Sequence, residues 1–152
     1  MGAIKVGDKL PWFSAKDQHG ADFDVASVVG KKVLVVYFYP KDDTPGCTKQ
    51  ACFFRDQYEE FSDLGVEVIG ISGDSVTSHK KFAERYQLPF TLLADEHKNL
   101  RKLFGVPSNL LGLLPGRVTY VVDKEGVVQL VFDSMNAENH FSKTLEQVKQ
   151  LL

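Results

Sequence analysis

Cysteine is scarce in this 152-residue chain: there are two, Cys47 and Cys52, too few for a secreted disulfide framework. In a chain long enough to bury a full core, two thiols point to chemistry rather than stapling. Long apolar runs are lacking too. None approaches the roughly 20 residues that span a bilayer, and Met1–Asp8 has no apolar signal core. The expectation is a soluble form without an address, and an import peptide removed ahead of Gly2 or Ala3 is compatible with it. Charge of one sign is missing: 18 Lys and Arg stand against 20 Asp and Glu with no long run of either. That balance excludes the electrostatic footprint of a nucleic-acid or anionic-membrane binder. Repeats and low-complexity segments are absent. The histidines, His19, His79, His97 and His140, lack ligand spacing, so with two cysteines no zinc site is expected. One domain over residues 1–152 is the expectation.

What is present concentrates between Tyr37 and Cys52. Val33–Tyr39 is an unbroken apolar, β-branched and aromatic run, the pattern of a strand buried on both faces. Pro40 ends it. Thr44 has the chemistry of an N-cap, Pro45 suits a first helical position, and Cys47, Ala51, Phe54, Tyr58 and Phe61 recur at helical spacing. The spacing predicts a helix from Pro45 that closes at Gly65, with Cys47 in its first turn. A thiol there faces N–H groups without intrahelical partners and the positive end of the helix dipole, both of which favour a thiolate. Asp42 and Asp43 oppose this, which implies a cation arriving from elsewhere in the chain.

Ahead of that stretch, Leu10–Val25 reads as a short hairpin around Asp17–Gly20, with a helical turn over Ala26–Val29. Behind it come a strand at Val66–Ser72 and a helix capped by Asp74 or Ser75 and running to Tyr86. Phe90–Ala94 is extended, and Asp95 caps a short helix through Leu100, Leu103 and Phe104. Leu110–Gly116 is an apolar loop, Arg117–Val122 a strand that turns at Asp123–Gly126 into Val127–Phe132, and the tail from Ala137 an amphipathic helix. The fold class is α/β. The order matches a thioredoxin-like sandwich with an N-terminal β-hairpin extension and a β-α insertion, whose sites lie beyond strand C-terminal ends.

Cys47 and Cys52 are five positions apart. In an intact helix their Cα atoms sit roughly 8.7 Å apart and about 140° around the axis, outside the reach of about 7 Å that a disulfide requires. If the two bond, the helix must unwind. The bland alternative is two small buried side chains on an apolar stripe. C-x-x-C spacing is absent, a C-x5-R phosphatase would need arginine where Phe53 stands, and the loop lacks the Gly-Lys-Ser/Thr of a phosphate-binding loop.

Pro40-x-x-x-Thr44-x-x-Cys47 resembles the peroxiredoxin active-site motif, and Thr44-Pro45-Gly46-Cys47-Thr48-x-x-Ala51-Cys52 resembles its Q subgroup, the bacterioferritin comigratory protein type. The blocks Gly70–Asp74, Leu88–Leu93 and Leu114–Val121 follow in family order and look closest to plant plastid and cyanobacterial members. The resemblance implies a thiol peroxidase of hydrogen peroxide and organic hydroperoxides in an AhpC/TSA-type domain. Cys47 would attack the peroxide and become a sulfenic acid, and Cys52 would resolve it as an intramolecular disulfide. Thr44 would hydrogen-bond thiolate and peroxide, Pro40 would shield the pocket, and Arg117 would supply the cation. Without the family, Arg117 reads as a surface residue and Thr44 as only a cap. The resemblance further implies thioredoxin as reductant, no metal or organic cofactor, a monomer, and a soluble reducing compartment, the plastid for a plant or algal form and the cytoplasm otherwise. Arg55 reads by default as a surface or structural ion pair, Trp12, Phe53 and Phe54 as packing, and Leu110–Leu114 as either an apolar mouth suited to lipid hydroperoxides or buried packing. The competing readings are a redox-sensing binding protein switched by the Cys47–Cys52 disulfide and a general disulfide reductase.

Overall fold

A computed structural model gives the fold, with residues 2–109 and 114–152 described. Its centre is β3 (Val33–Phe38), whose six residues are all buried. Because successive strand side chains alternate faces, Val33, Val35 and Tyr37 join one core cluster while Leu34, Val36 and Phe38 join another. Both faces of the strand are therefore covered, as its unbroken apolar pattern requires.

After β3 come helix α1 (Pro45–Asp63), β4 (Val66–Ser72), helix α2 (Val76–Tyr86), β5 (Thr91–Ala94) and helix α3 (Asn99–Phe104). Strands β3, β4 and β5 are parallel neighbours. Strand β8 (Val118–Val122) lies antiparallel on the other side of β3, β9 (Val128–Asp133) follows beside it, and helix α4 (Ala137–Leu151) ends the chain. The hairpin β1 (Ser14–Asp17) and β2 (Asp22–Asp24) adds itself to β5, giving one seven-stranded sheet in the order β2-β1-β5-β4-β3-β8-β9. This is the expected thioredoxin-like sandwich with its two additions.

The face holding α1 packs Phe54 and Phe61 with Phe82 of α2 and Val148 of α4. The opposite face packs Phe13, Phe38, Phe104 and Tyr120, rings that meet edge-on at centroid distances of 5.0–6.0 Å. Gly65 follows α1 with φ +78°, the left-handed position that closes a helix.

Four expectations need correction. Trp12 is not packing: it is 63% exposed, and its indole N–H donates to Asp24 Oδ1 at 2.8 Å. The turn after the hairpin is a 3-10 turn at Val25–Ser27, one residue early, because the Asp24 side chain caps it through Ala26 N–H. Arg117 precedes its strand rather than opening it. The stretch read as an apolar loop contributes to a two-stranded ribbon of β6 (Ser108–Asn109) and β7 (Leu114–Pro115). The apolar mouth expected at Leu110–Leu114 lies outside the described residues apart from the Leu114 backbone.

Candidate active site

The site forms where β3 ends. Tyr39 N–H still donates to Ile71 O at 3.0 Å, and the chain then bends at half-buried Pro40 and descends into α1. Thr44 occupies the N-cap position with extended backbone angles, and its carbonyl accepts Thr48 N–H at 2.8 Å. The expected side-chain cap is not made. The Thr44 hydroxyl instead donates to Lys41 O at 2.9 Å, so no side chain occupies the first-turn N–H groups.

Cys47 is the third helical residue and 1% exposed. Arg117, 4% exposed, donates Nη2–H to Cys47 Sγ at 3.3 Å, Nη1–H to Gln50 Oε1 at 2.6 Å and Nε–H to Met135 O at 3.2 Å. The surface reading of Arg117 is thereby overturned: the guanidinium is fixed on three sides against the thiol. Gly46 makes room for it, since a Cβ there would lie 3.1 Å from Arg117 Nη2.

Gln50 was missed from sequence. It is wholly buried, one turn after Cys47, and a glutamine on the stripe of Cys47, Ala51 and Phe54 was the available signal. Its Nε2 has no hydrogen-bond partner in the described protein. Cys52 lies farther along the same uninterrupted helix, half-buried, and both thiols are free. Its neighbour Phe53 stacks on Phe141 of α4 at 4.5 Å with 10° between planes, while Phe54 is fully buried.

The acidic pair does not confront the thiol as expected. Asp42 is buried and accepts from the Tyr39 hydroxyl at 2.6 Å and the Ser78 hydroxyl at 2.8 Å, and its Oδ2 lies 2.7 Å from His79 Nδ1. Asp43 pairs with Arg85 at 3.2 Å. His79, which sequence spacing left isolated, is wholly buried, with Nε2 on Leu93 O at 2.9 Å. Asp42, Asp74 and His79 gather their ligand-type atoms within 4.8 Å, the one such cluster among the described residues, but the Asp42 and His79 atoms face each other as hydrogen-bond partners. Arg55 binds Asp56 at 3.0 Å and Tyr86 O at 3.0 Å, the structural default.

Two ionisable groups nearby are held neutral. Burial first, then the Cys47 and Asp42 charges, push the Tyr37 phenol well above its ordinary value. Burial pulls His140 down to about 4, with the Arg117 charge adding to the effect. A neutral His140 donates Nε2–H to Ser134 O at 2.6 Å and accepts the Thr119 hydroxyl at Nδ1 at 2.7 Å. That anchors the segment whose Met135 carbonyl holds Arg117.

A thioredoxin-like sheet with a buried thiol at a helix N-terminus, faced by a buried arginine, defines a thiol-redox class of protein. Residues 6–131 match the AhpC/TSA family. The chloroplastic peroxiredoxin Q of Sedum lineare is 57% identical over 97% of this chain and 80% of its own length. Among solved structures, the peroxidoxin BcpB of Mycobacterium tuberculosis superposes with a TM-score of 0.88 at 35% identity, covering 98% of this chain and 99% of that one. The bacterioferritin comigratory protein of Xanthomonas campestris, described for alkyl peroxide reduction, gives 0.83 at 28% identity over 94% of this chain and 98% of its own. The chain belongs to the peroxiredoxin Q branch of the AhpC/TSA family, and with it to the thiol-dependent peroxidases.

Proposed function

We propose that the protein reduces hydrogen peroxide and organic hydroperoxides through a Cys47–Cys52 relay. The observation that carries this reading is the buried contact of 3.3 Å between Arg117 Nη2 and Cys47 Sγ at the start of α1. A guanidinium and unoccupied first-turn amides favour the sulfur anion, the reactive form of a thiol. The Cys47 thiolate attacks the terminal peroxide oxygen. The O–O bond breaks, the sulfur becomes a sulfenic acid, and water or an alcohol leaves after taking a proton. Arg117 is placed to stabilise negative charge on the separating oxygens. The Thr44 oxygen can accept the peroxide O–H while its own proton stays on Lys41 O. Pro40 limits water at the thiol.

Cys52 then attacks the sulfenic sulfur, expelling water and forming the disulfide. Both thiols come from one chain, so the relay needs no second copy, which supports a monomer. A dithiol of the thioredoxin type returns two electrons, and no prosthetic group is needed. Alkyl hydroperoxides are included because the Xanthomonas campestris relative is described as reducing alkyl peroxides. For a plant or algal form, the chloroplastic names of the plant relatives support a plastid setting. No helix among the described residues is long and apolar enough to cross a membrane.

Steady-state peroxide consumption with thioredoxin, its reductase and NADPH tests the reading. Wild type should turn over continuously, Cys47→Ser should consume nothing, and Cys52→Ser should stop after one equivalent. Wild type that also stops after one equivalent would make the protein a redox sensor instead.

A further inference from the structure

Arg101 is the cation that the mechanism above leaves unused. It is 8% exposed, and none of the ion pairs among the described residues includes it. Its backbone is fixed first. The Asp95 carboxylate accepts Leu100 N–H at 2.9 Å and Arg101 N–H at 3.1 Å, and Asp95 N–H donates to Ser72 O at the end of β4 at 2.9 Å. From there the side chain passes over the Phe38 ring at 5.5 Å. It ends on two carbonyls, with Nη2–H on Tyr39 O at 2.9 Å and Nη1–H on Gly116 O at 3.1 Å.

Those carbonyls belong to the residues immediately before Pro40 and Arg117. The β3–β8 ladder joins the two segments as far as Phe38 and Val118, and Arg101 extends that tie past the ladder's end to Tyr39 and Gly116. The Gly116 side is tightly held as well, since a Cβ on Gly116 would lie 2.2 Å from Pro107 O. Only a planar fork spans two separate carbonyl groups in this way while staying charged in a buried site. Burial lowers the guanidinium's pKa from its ordinary value, and the charges of Asp95, Tyr120 and Cys47, in that order, raise it. The first of those, the Asp95 carboxylate, is the same group that fixes the Arg101 backbone.

We propose that Arg101 is a positioning residue of the peroxidatic site, clamping the Tyr39 and Gly116 carbonyls so that Pro40 and Arg117 keep their placement around Cys47. The inference rests on Cys47 being the attacking thiol. The group in contact with that sulfur is Arg117.

The test uses Arg101→Met, Arg101→Lys and, as a charge control on the same helix, exposed Lys102→Met. Stopped-flow peroxide oxidation is measured alongside the pH midpoint of Cys47 alkylation, the latter in a Cys52→Ser background, with thermal melts as the fold check. Arg101→Met should lower the second-order peroxide rate about tenfold or more and, because Arg117 loses its placement, move the alkylation midpoint to higher pH. Arg101→Lys should restore neither, because an ammonium cannot span the two carbonyls as the fork does. Lys102→Met should change neither. A folded Arg101→Met with wild-type midpoint and a rate within about twofold overturns the proposal, and a lower melting temperature alone would then mark a structural role. If Arg101→Met does not fold, Arg101→Lys decides, and a wild-type rate in it overturns the clamp. Should wild type itself ignore peroxide, the peroxidase reading fails, while the alkylation midpoints still report on Arg101.

Discussion

One guanidinium, that of Arg117, makes three commitments, to the Cys47 sulfur, the Gln50 amide oxygen and the Met135 carbonyl. In the proposed reaction, replacing it with methionine removes the donor on the Cys47 sulfur and the charge opposite the breaking O–O bond. Arg117→Met should therefore slow peroxide oxidation of Cys47 by about a hundredfold, read by stopped flow. A rate within about threefold of wild type would contradict the assignment. Gly46→Ala is a smaller perturbation of the same contact. Its methyl would lie 3.1 Å from Nη2, and a guanidinium held on three sides has little freedom to retreat. We expect a severalfold slower reaction with an intact fold, whereas an unchanged rate would show that the arginine relaxes at no cost. Cys47, Thr44 and Pro40 were legible in sequence because they share one local motif. The burial of Arg117 was legible only through the family, because its partners Gln50 and Cys47 lie 67 and 70 residues away. Gln50 was passed over because a polar side chain on an apolar stripe has no partner until the fold supplies one.

Helix α1 carries both thiols, so in the proposed relay its stability sets the second half of the reaction. Its ends were readable from local chemistry, proline at the first position and glycine past the last. The small ribbon of β6 and β7 was not, because two-residue strands carry no period and are held by their partner alone. With Cα atoms roughly 8.7 Å apart in a regular helix, disulfide formation must open the first turns of α1. Amides of residues 47–53 should exchange with solvent faster in the oxidised protein than in the reduced one. Equal protection in both forms would contradict the unwinding. The stack of Phe53 on Phe141 resists that opening. Such a pair contributes on the order of 1 kcal/mol, so Phe141→Ala should speed disulfide formation about fivefold and leave less sulfinic acid after excess peroxide. Slower formation would show that the stack assists the rearrangement instead.

Across the molecule, buried polar groups tie the site to the sheet, and one of them makes stability depend on pH. His140 falls from 6.5 to about 4 on folding, so between those values the unfolded chain binds the proton more readily. Its stabilising contribution is thus complete above about pH 6.5 and is lost as pH falls toward 4, on the order of 3 kcal/mol. Urea unfolding should be shallower with pH for His140→Gln than for wild type across that window, and parallel slopes would contradict it. The layered sandwich itself was legible because β3, β4 and the helices announce themselves by period. Which surface aspartates would be drawn inward was not. Asp42 looked like an opponent of the thiolate, and only the fold reveals His79, Ser78 and Tyr39 gathered around it.

The central claim is that Cys47 attacks and Cys52 resolves within one chain. Intact mass under non-reducing conditions, after one equivalent of hydrogen peroxide, tests it most directly on wild type and Cys52→Ser. Wild type should lose two hydrogens, and the variant should carry an added oxygen or form a disulfide-linked dimer. Wild type that keeps its mass and both free thiols would contradict it.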